Sequence, residues 1–588
     1  MDTFDVVELV STLLDSGKYK EALSVPNEEK YIDRFKDNCA DLISVIVGKV
    51  NDDTTVLKPS LYGACEELLS IIVQRIAPEE ALLEFIEQIE VAKNDAQFGI
   101  ILLPLQTLLK KLSLKRGRSL EWCLNSISTY IETIPIPEHR LDGKERMLMD
   151  CDVNVRRIVR VYSLLPPFYS PFIQELNTTD NYKTKEIITA FLISLLGKPL
   201  IYIDLDPECN KTNEARSSCA TMIQDICILE KDILKFLLYV ELCYKENQKS
   251  SSKIMSSQSE DEIAPYEHKE KINLTTLSGL FYVVLSGHFQ IPEIALPQVY
   301  SIEYVVHTTM LTVTHLLSFA EYGPIAKGIA LCKAILNRFS SKISHTLLLS
   351  SVHYDLCKSL VNVAIYSSFE SLRKKAVTLI GYHVNLFDYK GRCMLIKYLL
   401  DASNHSGMIG YAITLYKNSI DEAFKDPDIS SCFTGTQLMN MVKKICYLPH
   451  GAESDLVELA DQIITSLNFL RYLALKDTRN VTGIGNNFTY IETEYLDKLR
   501  TGLNMSKAHY EIKLKDIEDG KTHPEGKVDV SISVGGNILD SIPNENKKEI
   551  ISSALNAFHL IEGLVARLTD VEITARLRRL SWETKALQ

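Results

Sequence analysis

Tryptophan, proline and glycine are scarce in this sequence: 2, 19 and 25 among 588 residues. An all-β chain of this length would need a turn-forming cluster every eight to twelve residues or so. That class is therefore disfavoured, and helices are expected. Basic character is missing too. The chain carries 64 basic and 76 acidic side chains, for a net charge of −12. Nucleic-acid binders show a basic stripe. The local cluster Lys110, Lys111, Lys115, Arg116 and Arg118 is read instead as a helix end plus a loop, so no nucleic-acid partner is expected. Long apolar runs are lacking. The longest, such as 281–285, are far too short to cross a bilayer, and no membrane partner is expected. The N-terminal stretch holds Asp2 and Asp5 where a secretory leader would hold basic residues, and it reads as an amphipathic helix.

The thirteen cysteines are dispersed singly, without a Cys-x-x-Cys pair, and their number is odd. A disulfide framework is excluded on that pattern. Reduced core cysteines are expected, in a cytosolic or nuclear compartment. Without a secretory route, the Asn-x-Ser/Thr triplets at Asn404 and Asn487 are coincidental.

Signatures of chemistry are missing as well. No phosphate-binding Gly-rich loop ending in Gly-Lys-Ser/Thr occurs, and no His-Glu-x-x-His. Gly483-Ile484-Gly485 lacks a third glycine and follows no strand pattern. The thirteen histidines show no metal-ligand spacing, and no Gly-x-Ser-x-Gly elbow occurs. A cysteine nucleophile has no local signature. The expectation is a protein without catalytic residues, cofactor or metal.

What the sequence does contain is helical periodicity. Leu372, Ala376, Leu379, Ile380 and His383 recur at helical spacing, and so do Leu395, Tyr398, Leu399 and Ala402. Leu456, Leu459, Ile463, Leu467, Leu470 and Ala474 make a longer stripe. Polar breaks at 387–391, 403–407, 424–431 and 448–454 separate such stripes. Two helices and two breaks make a unit of about 40 residues, the period of HEAT and armadillo arrays. The fold expected is all-α, an elongated array of HEAT-like helical hairpins. Such stacks offer long surfaces to other macromolecules.

Domain boundaries are expected around a Ser-rich, charged segment at 245–268, read as a flexible loop. It would separate an N-terminal helical domain, 1–244, from a C-terminal domain, 269–588. Prolines at 134–139 and 162–171 are read as further breaks. One β signal occurs near 527–534, where Val528, Val530, Ile532 and Val534 alternate with polar residues. A last helix is expected from about 546 to 567, continuing or fraying beyond.

Polar residues are densest between 447 and 511. Asn468 and Arg471 flank the long Leu-rich stripe, aligned with Ile464 and Leu475. Arg500, Asn504, Lys507 and Glu511 form a second polar stripe, opposed to Leu496, Leu499, Leu503 and Tyr510. Each stripe alone reads as a solvated face, although arginine and tyrosine also favour interfaces. Asn468, Arg471, Tyr472, Asn504, Lys507 and Tyr510 are the candidates for protein binding or its support, with the two tyrosines equally readable as core. Asn404, His405, Ser406 and Gly407 form a turn able to cap the next helix.

These segments resemble the glomulin family. The similarity rests on LPLQTLLKKL at 103–112, ESLRKKAVTLIGYHVN at 370–385, SNHSG at 403–407 and FTGTQL at 433–438. LPHGAESDL at 448–456, DQIITSLNFLRYLALKD at 461–477, TGLNMSKAHYE at 501–511 and SALNAFHLIEGLVARL at 553–568 follow in the same order. The resemblance is strongest over 360–570, while 479–489 and 515–525 depart from the family pattern. It implies a HEAT-like protein without catalytic activity whose C-terminal half binds the RING subunit of cullin–RING ubiquitin ligases. There it would mask the docking surface of the ubiquitin-conjugating enzyme. The N-terminal part would lie near the cullin C-terminal region, and the free protein would be a monomer. The alternative is a general HEAT-type scaffold or trafficking adaptor, and a convergent enzyme is the remotest reading.

Overall fold

A computed structural model describes residues 5–112, 116–138, 140–176, 181–208, 214–240, 242, 273–295, 301–518, 533–534, 537–538 and 544–586. The fold is all-α, as the periodicity predicts. The chain forms two compact units, Met1–Arg338 with Ser367–Lys375, and Phe339–Tyr366 with Ala376–Gln588. The Ser-rich segment 245–268 lies outside the described residues.

In the first unit helices pack chiefly on others one to four places away in the chain. Pro78–Glu90 packs on Asp95–Lys111, which in turn packs on Val153–Leu176, and Leu274–Leu285 packs on Ile302–Leu317. The basic cluster divides along the chain. Lys110 and Lys111 close the last turn of Asp95–Lys111, and Lys111 Nζ donates to the Val73 carbonyl at 2.9 Å.

The prolines at 162–171 do not break a helix. Val153–Leu176 runs straight through Pro166, Pro167 and Pro171. Pro171 has no N–H for the Pro167 carbonyl, which would normally be left bare. Gln106 supplies the missing donor: its Nε2 lies 2.6 Å from Pro167 O and 2.7 Å from Phe168 O. Tyr162, Leu165, Phe168, Tyr169, Phe172 and Ile173 bury one face of the same helix. Burial of that face, at about 1.5–3 kcal/mol per large side chain, offsets the lost backbone bonds.

The second unit carries the stripes read from the sequence. Helix Glu370–Leu386 buries Ala376, Leu379, Ile380 and His383 in this unit, and Asp388 caps the next helix, Tyr389–Ala402, through Gly391 N. His383 sits in the core with His353, their rings stacked and Nδ1 of His353 3.0 Å from Nε2 of His383. Helix Ser406–Ala423 packs on Tyr389–Ala402 and on Ala460–Lys476. The long stripe starts one turn before its helix. Leu456 is buried in a non-helical turn, and the helix itself begins at Ala460.

The last helix, Asn544–Ala586, continues past 567 and packs on both Ala460–Lys476 and Asp497–Glu518. Its part Lys548–Val571 is long and apolar enough to cross a membrane by length and composition. Uninterrupted apolar runs stay short here, since Glu549, His559, Glu562 and Arg567 interrupt this part of the helix. Here Ile551, Phe558, Ile561 and Leu568 are buried within the unit, as in a core helix. Near the expected β element, Ser533–Val534 pairs antiparallel with Asn537–Ile538. Val528, Val530 and Ile532 lie outside the described residues.

Candidate protein-binding surface

The turn at 403–407 joins two helices and touches a third. His405 is the N-cap of Ser406–Ala423, its Nδ1 accepting from Met408 N at 3.3 Å. Ser403 Oγ accepts from His405 N, and Ser406 Oγ accepts from Gln462 N at 3.0 Å, in the first turn of Ala460–Lys476. Asn404 is exposed. A Cβ at Gly407 would stand 3.1 Å from the His405 ring, a tight contact that the ring would have to yield to. Gly410 lets the two helices approach, with Thr465 Oγ1 3.0 Å from where its Cβ would be.

Helix Ala460–Lys476 buries Ile463, Ser466, Leu467, Phe469, Leu470 and Leu473. Asn468 projects into solvent. Arg471 is half-buried, and its Nε is buried with no hydrogen-bond partner among the described residues. Tyr472 donates its hydroxyl to Asp421 Oδ1 at 2.7 Å. Burial, followed by this bond to a carboxylate, pushes the phenol well above its ordinary value. Leu475 is 52% exposed.

The segment after this helix is built rather than loose. The buried Asp477 carboxylate accepts from Val481 N at 2.7 Å, Thr482 N at 2.9 Å and Thr482 Oγ1 at 2.5 Å. Asn480 takes the left-handed conformation at φ 53°, accepts from Gly485 N and donates to Asn486 Oδ1. Asparagine tolerates that conformation better than most residues. The Thr482 carbonyl accepts from Gly435 N at 2.9 Å. Val481 is left exposed at the tip.

Helix Asp497–Glu518 follows a π-helical turn, Glu492–Leu496. Leu496, Leu499 and Leu503 are buried, as their spacing predicts. The opposing polar stripe is divided. Asn504 is exposed, beside Met505 and, two turns on, Ile512. Arg500 instead pairs with Glu492 and Asp497 and donates to Thr569 Oγ1 at 3.0 Å. Lys507 Nζ meets Glu562 Oε2 at 2.8 Å, and the Tyr510 ring stands edge-on to Phe558. Burial raises the Tyr510 phenol.

The six candidates therefore separate. Asn468, Arg471 and Asn504 reach solvent or keep a donor unused. Tyr472, Lys507 and Tyr510 are engaged within the unit. The sequence reading missed the last helix as the partner of Lys507, Tyr510 and Arg500, because no local pattern pairs positions 48–69 residues apart. It also missed the ordered segment after Lys476. Asp477 and Asn480, residues that bond nearby backbone in tight turns, were the available signal.

Among the described residues no cluster of His, Cys, Asp and Glu could hold a metal ion. Solvent reaches two mixed polar and apolar sets of side chains, Asn468, Arg471 and Leu475 on helix Ala460–Lys476, and Asn504, Met505 and Ile512 on helix Asp497–Glu518. The fold and this surface define an all-α protein of packed helical hairpins.

Comparison with known proteins identifies the family. The profile described as "Uncharacterised protein family, YAP/Alf4/glomulin" matches residues 41–555, and the chain belongs to that family. Human glomulin is 29% identical over 515 residues, spanning 86% of this chain and 82% of its own length. Mouse glomulin is 28% identical over 522 residues, spanning 87% and 84%. The match reaches far into the first unit, beyond the 360–570 region where the resemblance is strongest.

Proposed function

We propose that this chain is a non-enzymatic inhibitor of cullin–RING ubiquitin ligases. It binds the RING subunit through helices Ala460–Lys476 and Asp497–Glu518 and covers the docking surface of the ubiquitin-conjugating enzyme. Family membership over 41–555 is the observation that carries this reading. In the same reading the first unit lies near the cullin C-terminal region, the free protein is a monomer, and it works in the cytosol or nucleus. Neither nucleic acid nor membrane takes part.

Occlusion needs overlap and occupancy, not chemistry. An interface of about 1,600 Å² in total suffices for specific binding. An acidic chain facing a partner with basic surroundings gains chiefly in association rate and selectivity. Binding energy concentrates in a few central side chains.

The test uses the purified full chain with a RING–cullin complex and a conjugating enzyme charged with ubiquitin. Retention of the complex and at least about tenfold slower ubiquitin discharge are expected at saturating protein. Normal discharge would overturn the proposal. Retention with normal discharge would favour the scaffold or adaptor reading.

A further inference from the structure

Two helices of the second unit meet through a pair of tyrosines. Tyr354 lies on helix Val352–Tyr366 and Tyr398 on helix Tyr389–Ala402, and the two helices pack together. The rings stand 4.9 Å apart, centroid to centroid, tilted by 56°. Both side chains are half-buried, and neither hydroxyl has a hydrogen bond among the described residues. Burial, first, and then the nearby Cys357 thiol raise both phenols, so each keeps its proton and can donate. Exposed lysines flank the pair. Lys358 follows Tyr354 by one turn. Lys390, Met394 and Lys397 recur at helical spacing on one face beside Tyr398, and all of them are exposed, as is Lys358. None of the three lysines has an ion pair among the described residues. Other lysines of this unit do: Lys444 pairs with Asp401, Lys498 with Glu494 and Lys507 with Glu562. Asp401, at the end of the same helix, is thereby spent, and Asp388, at its start, accepts from Gly391 N and His345. On these two helices that leaves the carboxylate of Asp355, beside Tyr354. Three cations against one carboxylate make a positive surface on a chain of net charge −12.

We propose that Tyr354, Tyr398, Lys358, Lys390 and Lys397 form a docking surface for an acidic segment of a partner protein. Glutamate and aspartate carboxylates of that segment meet the ammonium groups and accept from the two phenols. An apolar side chain of the segment rests on Met394 and the tyrosine rings, since methionine adapts its shape to such contacts. Charge complementarity selects this occupant. A nucleic-acid surface would present a longer basic stripe, and Arg392, the arginine of these two helices, is buried against Glu422. The surface lies on other helices than the two assigned to the RING subunit and does not depend on that assignment.

The experiment follows the fluorescence anisotropy of a short fluorescein-labelled peptide of repeated Glu-Glu-Leu as the full chain is added. Saturable binding is expected, weakening as salt rises, with none for the matching Gln-Gln-Leu peptide. The triple variant Lys358→Gln, Lys390→Gln, Lys397→Gln should bind at least about tenfold more weakly with an unchanged circular dichroism spectrum, because all three side chains are exposed. Tyr354→Phe combined with Tyr398→Phe keeps the ring packing and should also lose affinity, by a smaller factor. Absence of binding, or equal affinity in the wild type and the triple variant, would overturn the proposal. Tighter binding of a single-stranded oligonucleotide or of phosphatidylserine vesicles than of the acidic peptide would overturn it as well. The neutral peptide and the salt series decide by themselves if the triple variant does not fold.

Discussion

Ser466 and Tyr495 join helix Ala460–Lys476 to the π-helical turn through a buried hydroxyl–hydroxyl hydrogen bond of 2.5 Å. The Ser466 hydroxyl already donates to the Ile463 carbonyl at 2.8 Å. Its single proton is used there, so Tyr495 donates and Ser466 accepts. Ser466→Ala strands the Tyr495 hydroxyl in the core and is expected to cost about 1–3 kcal/mol. Tyr495→Phe removes the donor and leaves Ser466 satisfied, for a smaller loss. In urea unfolding the double variant should recover part of the Ser466→Ala loss. Equal losses in the two single variants would reverse the donor assignment.

Arg471 holds a buried Nε with no hydrogen-bond partner among the described residues. A partner carbonyl or carboxylate could satisfy it on binding. Arg471→Glu is expected to weaken RING binding by at least about 1.4 kcal/mol, tenfold in affinity, with the unfolding midpoint little changed. Titration calorimetry with the RING subunit measures this. Unchanged affinity removes Arg471 from the interface.

Lys507, by contrast, is already paired with Glu562 across two helices. Half-exposed pairs of this kind contribute little, about 0.2–1 kcal/mol. Lys507→Ala should lower stability within that range, and a double-mutant cycle with Glu562→Ala should return a coupling of the same size. A much larger loss of RING affinity than of stability would show that Lys507 leaves Glu562 for the partner.

The buried His383 gives a pH dependence with a definite sign. Burial, with a lesser contribution from His353, lowers its pKa from 6.5 to about 3. The folded chain refuses a proton that the unfolded chain accepts. Its contribution to stability is complete above pH 6.5 and falls as pH drops toward 3. At pH 5 the loss is roughly 2 kcal/mol relative to pH 7.5. His383→Leu should flatten that part of the urea-midpoint profile between pH 7.5 and 5. An unchanged slope would mean that His383 is not the group responsible.

Legibility followed the range of the interactions. Leu496, Leu499 and Leu503 announced a buried helix face through spacing alone, and the structure buries all three. Leu372, Ala376 and Ile380 did the same. The prolines of Val153–Leu176 misled, because the donor that rescues the Pro167 carbonyl is Gln106, on a helix some sixty residues earlier. Among the surface residues, exposed Asn468 and Asn504 were visible as polar positions. The engagement of Lys507 and Tyr510 was not, since Glu562 and Phe558 lie on the last helix.

The sequence by itself determined the all-α class, the hairpin breaks and the family, because helical period, capping residues and ordered motifs are local properties written in consecutive positions. Only the tertiary structure decided which polar residues are free and which are spent. Helix Ala460–Lys476 packs against Asn544–Ala586 rather than stopping at its chain neighbours. Asp497–Glu518 packs on the same last helix, which brings Glu562 to Lys507. Side-chain partners chosen across such distances depend on how helix faces fit together, and no spacing along the chain encodes that fit.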